Sequence, residues 1–540
     1  MNTQDSLSSL TDGLFPLSLS WNGDLPLECT NDNLADCLRR LDRPVFVLQD
    51  GDRSAVTSDG RIDGADSTWQ VKGFVPALLP ETLGDPDFRR TYGLRYALFS
   101  GAMANGISSE ELVIALGEAG FMGSFGAGGL LPARIEKAIV RIQESLKDKP
   151  FAFNLINSPF EPAMEQKAAE LYIQHGVHVI EASAYLALTP SLVWFRAAGL
   201  KRQLDGSIQI GNRIIAKVSR KEVAAKFLQP ASDEMLAQLV NEGKITQDQA
   251  ALARLVPMAD DITVEADSGG HTDNRPLVGI LPAIIKQRDD FQAKYHYAQP
   301  VRIGAAGGIS TPASTLAAFM MGAAYVVTGS VNQACVESGA SEHTRNLLAQ
   351  MEFSDVAMAP ASDMFEMGVK VQVLKRGTMF PMRAQKLYEL YSRYNAWEEI
   401  PLAEREKLEK SVFKRDFGSI WDDTVKFFNE RDPRQVERGN SSPKDKMALV
   451  FRWYLGLSSR WSAMGEKGRE MDYQIWTGPA MGAFNHWVKG TYMEAPQNRR
   501  VTDLAKQLLR GCAYLYRLRS LEAQGIIFPP ALQKYVPEPL

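Results

Sequence analysis

Residues 265–271 read Glu265-Ala-Asp-Ser-Gly-Gly-His271, and two glycine loops follow, Gly304-Ala-Ala-Gly-Gly-Ile309 and Val327-Thr-Gly-Ser330. Each loop follows or closes a short apolar run, and helical patterns separate the runs. This is how the last three strands of a (β/α)8 barrel read when their C-terminal loops carry a site. Glycine lets the backbone approach a ligand closely, and a helix N-terminus behind it favours an anion, so the two loops suit a phosphate. A histidine at the same mouth can serve as an acid.

Outward from this stretch the pattern repeats. Apolar runs at 96–100, 121–125, 151–155, 177–181 and 214–218 precede those at 262–266, 301–305 and 324–327. Eight runs is the barrel number. Amphipathic spacing predicts helices between them, at 108–119, 132–146, 161–174, 277–294 and 311–321. Residues 199–212, with Asp205-Gly206 inside them, predict a β-hairpin. Residues 232–256 predict an extra helical pair between strands five and six. The expected fold is therefore an α/β protein built on a TIM barrel at 91–340. An N-terminal cap, 1–90, is expected to pack on it, with 44–49 and 69–74 as candidate strands. A methionine-rich lid segment, 341–384, and a helical region, 385–540, follow, and no strand is expected past residue 340.

A chain of 540 residues needs more than one core. Its net charge of −4 gives no basic field for nucleic acid. Cys29, Cys37, Cys335 and Cys512 are scattered with no C-x-x-C pair, which argues against a disulfide framework or a zinc site and suits a reducing cytoplasm. The first 30 residues lack a basic segment followed by an apolar one, and no run reaches the ~20 apolar residues of a membrane span. A cytoplasmic protein without nucleic-acid or membrane partners is expected. No G-x-G-x-x-G opens a strand–helix unit, so no Rossmann domain is expected.

His271 is the candidate proton donor, and Gly270 lets its loop pass close to a flat ring. Gly307 and Gly308, with Thr328, Gly329 and Ser330, are the phosphate candidates. Lys217 lies in the apolar run Ile214-Ile-Ala-Lys-Val218, where an ammonium needs a partner. It is placed to favour negative charge growing on a reduced ring. Asn154 offers an amide to the donor–acceptor edge of such a ring. Ala102, Met103 and Ala104 leave room for a planar cofactor and offer it backbone groups, and Asp267 or Glu265 is expected to orient a ring or hydroxyl. Singly, each has a plainer reading: a loop-capping histidine, turn glycines, a snorkelling lysine. Together, at successive strand ends, they point to flavin mononucleotide (FMN).

Residues 95–335 resemble the nitronate monooxygenase and FMN-dependent enoyl reductase superfamily. In that family the strand-one segment, the strand-three Asn, the strand-five Lys, the Gly-Gly-His and the two phosphate loops recur in this order. Ala266-Asp-Ser-Gly-Gly-His-Thr-Asp-Asn-Arg-Pro276, Glu181-Ala-Ser-Ala-Tyr185, segment 364–382 and the helical tail are similar to the PfaD-type trans-acting enoyl reductases of bacterial polyunsaturated fatty acid and polyketide synthases. The resemblance implies FMN, NADPH or NADH as reductant, and an enoyl thioester on an acyl carrier protein domain of a partner synthase. Such carriers are acidic, so Lys370, Lys375 and Arg376 are expected docking contacts; a homodimer is one assembly open to the chain. The alternatives are a nitronate monooxygenase-like flavin oxidase, needing neither carrier nor nicotinamide, and a non-catalytic docking protein without turnover.

Overall fold

The computed structural model describes residues 19–24, 26–63, 67–159 and 161–540. Parallel strands covered on both faces must be apolar throughout, and eight such runs close the barrel. In order they are Leu98–Ser100, Met122–Phe125, Ala152–Ile156, Val179–Ser183, Arg213–Val218, Asp261–Glu265, Arg302–Ala306 and Val326–Thr328. Each pairs in parallel with its sequence neighbour, and strand eight returns to strand one through Val327↔Phe99. All eight predicted runs are strands.

The helices between them include Glu110–Glu118, Pro132–Leu146, Pro162–Gln174, Leu277–Tyr295 and Pro312–Met320. The Thr311 side chain accepts from the Ser314 N–H and Pro312 opens the first turn, so this helix starts immediately behind the glycine loop. The predicted hairpin is Leu200–Arg202 paired with Ile208–Ile210. The predicted insertion is the helix pair Asp233–Asn241 and Gln247–Ala253.

Two expectations are corrected. The cap falls partly outside the described residues, as does most of the stretch read for a secretory signal. Its described part is a six-stranded antiparallel sheet, ordered Leu27–Glu28, Arg53–Thr57, Val45–Asp50, Gln70–Val75, Ser20–Asn22, Arg61–Asp63. The sheet packs mainly on the last helix, Val501–Glu522, where Val45, Val47, Val56 and Val75 share a core with Leu515, Leu518 and Leu521. Leu41, Leu83 and Phe88 of the cap pack on the barrel as expected. The buried Arg517 donates to the carbonyls of Leu38, Arg40 and Arg43, tying the last helix to the N-terminal region. That helix lies in turn against Pro312–Met320, and Gly511 supplies the close approach to Pro312.

The second correction lies past residue 340, where strands do occur. Val356–Pro360 and Lys370–Leu374 form an antiparallel pair, and Gly270–His271 adds to its edge through His271↔Val371. Alternating apolar side chains of this pair, Ala359, Val371 and Val373, join a core with Phe380, Phe413, Phe451 and Tyr454. The helices Phe417–Arg431 and Pro443–Met464 belong to that core and lie over the barrel mouth. Among the described residues no helix is long and apolar enough to cross a membrane.

Candidate functional site

A cavity of about 700 Å3 lies between the C-terminal ends of the barrel strands and the helices above them. Ala102, Met103, Ala104, Asn154, Lys217, Gly270, His271, Gly307, Gly308, Thr328, Gly329 and Ser330 all line it. Asp267 does not. Its carboxylate accepts from Asn274 and from Gln372 Nε2, both at 2.8 Å, so it braces the loop against the strand Lys370–Leu374.

The glycine loops meet at strands seven and eight. Gly307 has φ +80°, and a Cβ there would lie 2.6 Å from the Ala266 carbonyl carbon. Gly308 has φ +79°, and a Cβ on it or on Gly329 would meet nothing within 4 Å. These two positions are a cradle that side chains would fill. The cradle opens at strand ends that lead into helices, so the residues present fit a phosphate. Ser330 Oγ accepts from the Gly478 N–H at 3.1 Å, which joins the cradle to the C-terminal region.

Gly269, beside Gly270 in sequence, serves packing. A Cβ there would lie 2.7 Å from the Thr477 Cα, so this glycine lets a C-terminal segment cross the loop. The strand-one segment is corrected. The N–H groups of Ala102 and Met103 already donate to Glu181 Oε2 (2.6 Å) and Ser108 Oγ (3.0 Å). It offers room, and not those donors. Asn154 likewise spends its Nδ2 on the Glu181 carbonyl (3.0 Å) and Ser183 Oγ (2.8 Å), which leaves its oxygen as an acceptor.

Lys217 is ion-paired rather than free. Its Nζ lies 3.4 Å from Glu265 Oε1. Burial works against its charge, but Glu265 and Glu181 outweigh it and raise its pKa. Glu181 is fully buried in strand four, with Oε1 lacking a hydrogen-bond partner. Burial raises its pKa, partly offset by Lys217 and by the Ala102 N–H. Sequence reading missed Glu181 as a site residue; the signal was a glutamate inside the apolar run 177–181.

His271 also has a partner that the sequence did not reveal. Its Nε2 lies 3.1 Å from Asp363 Oδ1, in the loop between the two late strands. Both side chains keep about a third of their surface open, 37% and 36%. Burial opposes the imidazolium, but the hydrogen bond and charge of Asp363, helped by Glu265, raise the His271 pKa above its ordinary value. Asp363 is correspondingly held below the usual carboxylate range, its pairing with His271 overcoming burial. Of the expected docking cations, Lys370 lines the cavity and is exposed, Lys375 is exposed, and Arg376 pairs with Asp355.

The fold and this mouth define a closed (β/α)8 barrel with a glycine cradle and a histidine–carboxylate pair in one cavity. The nitronate monooxygenase family matches residues 90–393, and the inserted helical domain of [acyl-carrier-protein] S-malonyltransferase matches residues 394–473. One polyunsaturated fatty acid synthase protein of Thraustochytrium sp. is 47% identical over 497 residues, 91% of this chain and 33% of that protein. Polyketide biosynthesis protein PksE of Bacillus subtilis is 46% identical over 440 residues, 81% of this chain and 57% of that protein. The chain thus spans about a third to just over half of these relatives' length. The crystal structure of the enoyl reductase domain of MlnA, from the macrolactin biosynthesis cluster of Bacillus amyloliquefaciens, superposes with a TM-score of 0.78 at 40% identity, covering 81% of this chain and 99% of that one. The chain belongs to the nitronate monooxygenase family of oxidoreductases, and within it to the branch found in polyunsaturated fatty acid and polyketide synthases.

Proposed function

We propose that this protein is an FMN-dependent enoyl reductase. It reduces the carbon–carbon double bond of enoyl thioesters borne by acyl carrier protein domains of a partner synthase, with NADPH or NADH as reductant. The observation that carries the reading is that His271, with its pKa raised by Asp363, opens into the same cavity as the Gly308–Gly329 cradle. The likeness to the MlnA enoyl reductase domain supports it, as does the similarity of residues 394–473 to a domain of an enzyme that acts on acyl carrier protein.

Bound FMN would take hydride from the nicotinamide and pass it to the substrate's Cβ. The chain's residues do the rest. Backbone N–H groups beside Gly308 and Gly329 hold the phosphate, with Thr328 and Ser330 beside them. Asn154 Oδ1 would be free to accept from a ring N–H. Lys217, balanced by Glu265, keeps a positive charge near charge that grows on reduction. His271 gives its proton to Cα and regains one from water, Asp363 holding the ring in place.

A nitronate monooxygenase would need the same histidine as a base. A carboxylate partner that raises the His271 pKa serves either role, so it is the likeness to the MlnA enoyl reductase domain that favours the acid. The test is nicotinamide oxidation by the FMN-loaded protein under anaerobic conditions. Consumption should require an enoyl thioester. Oxygen uptake with a nitroalkane, without enoyl-dependent turnover, would overturn the reading.

A further inference from the structure

The helix Pro443–Met464 crosses the barrel mouth between two tethers. At one, Arg452 Nε donates to the Ser362 carbonyl at 2.8 Å, next to the Asp363 that holds His271. At the other, Ser459 Oγ accepts from Asn105 Nδ2 at 2.9 Å, in the loop after strand one. About two turns separate these points. Between them is Gly456, which lines the cavity and has nothing within 4 Å of where a Cβ would be. Glycine is the poorest helix former after proline, so its place in the middle of a 22-residue helix has no local reason. One turn further along the same face is Arg460. It lines the cavity, is exposed, and has no side-chain partner among the described residues.

We propose that the Gly456 notch admits the slender arm of a phosphopantetheine thioester, and that Arg460 binds the arm's phosphate. This rests on the enoyl thioester reading above and gives that substrate its path. The arm is narrow and flexible, and its one charged group is the phosphate ester. A notch in the roof passes the first, and an unpaired guanidinium just beyond it meets the second with charge-assisted hydrogen bonds. This phosphate site is separate from the glycine cradle at strands seven and eight, so the cavity has two anion positions, one for each reactant that must be present together.

The probes are phosphopantetheine and pantetheine, which differ only in the phosphate, and their crotonyl thioesters. Calorimetry on the full chain loaded with FMN should show tighter binding of phosphopantetheine. Arg460→Gln should remove that preference and raise KM for the phosphorylated crotonyl thioester about tenfold, as expected for one charged hydrogen bond. It should leave the pantetheine thioester unaffected. Gly456→Leu should lower kcat/KM for both thioesters at least tenfold while flavin reduction by the nicotinamide proceeds at the parent rate. Equal binding of the two probes, or full activity in Gly456→Leu, overturns the proposal even if enoyl reduction is observed. A loss in Arg460→Gln confined to the nicotinamide step assigns the residue to the reductant's phosphates and also overturns it. If phosphopantetheine binds through Arg460 but no enoyl thioester is reduced, the enoyl reductase reading fails and this site stands.

Discussion

Gly308 and Gly329, on the barrel side of the cavity, leave open the space a side chain would take, whereas the roof presents Asp363, Arg452 and Arg460 to the same volume. The barrel side works through backbone geometry, which positive φ values at Gly307 and Gly308 make specific. The roof works through charge: it reaches His271 through Asp363, and the Ser362 carbonyl beside it through Arg452. A rigid barrel with glycine loops can hold one cofactor for many reactions. In the proposed reaction, a roof of ionic side chains would select the substrate and set the protonation state of the histidine. His271 stands at the seam, carried by a barrel loop yet paired into the roof's sheet.

The largest effect should come at that seam. His271→Ala is expected to keep bound FMN and to accept hydride from the nicotinamide at the parent rate. Reoxidation of the reduced protein by an enoyl thioester should slow by ~10²–10⁴-fold, the usual worth of general acid catalysis. Single-turnover absorbance at the flavin band separates the two steps. Reoxidation at the parent rate would give His271 a positioning role only.

The barrel side comes next. Gly308→Val should weaken FMN binding about 10- to 100-fold, since each charged hydrogen bond lost costs ~1.5–3 kcal/mol. Flavin released on dialysis measures it. Full retention of FMN in a folded variant would move the phosphate site elsewhere.

The roof's hold on the acid is smaller and depends on pH. Burial and Lys217 push the His271 pKa down, while Asp363 and Glu265 push it up and prevail. Asp363→Asn removes the larger favourable part, so the pKa should fall. If the proposed reaction uses the imidazolium, its rate should decline as pH rises through that pKa, and the decline should move to lower pH in the variant. Each pKa unit lost gives about tenfold less activity on the alkaline limb and little change at acid pH. The pair's contribution to stability is lost on both sides: as pH rises through the raised His271 pKa, and as pH falls through the lowered Asp363 pKa. An unchanged profile would separate Asp363 from the chemistry.

The two regions were not equally legible in the sequence. The barrel strands are buried on both faces, so each is a continuous apolar run with a helix behind it. Asp205-Gly206 announced its hairpin for the same local reason, a turn that needs glycine. Two strands of the N-terminal sheet, Val45–Asp50 and Gln70–Val75, were legible at 44–49 and 69–74. Strands such as Arg53–Thr57 and Arg61–Asp63 were missed because they are short and carry charges on an exposed face. The late strands were missed because Gly270–His271, their partner, is two residues long and lies about a hundred positions away. Asp363 had no signal at all, being one acid in a methionine-rich stretch. The cradle glycines and His271 were legible because they end strands; their partners Asp363 and Gly478 come from distant segments that only the folded chain brings in.

The smallest expected effect tests whether glycine serves the two regions differently. Gly307→Ala forces an alanine to φ +80° and places its Cβ 2.6 Å from the Ala266 backbone. It should destabilise by ~1–2 kcal/mol for the left-handed backbone alone. Gly456 is helical, with open space around its absent Cβ. Alanine there should therefore stabilise the protein, by up to ~1 kcal/mol, through lower backbone entropy in the unfolded chain. Thermal or urea unfolding of the FMN-free chain compares the two. A stable protein that binds phosphopantetheine less well would show that Gly456 is kept for passage rather than for folding. If Gly456→Ala instead unfolds at lower temperature than the parent, the notch is occupied by the chain's own packing, and the distinction between a barrel that needs its glycines to fold and a roof that needs one to admit substrate would not hold.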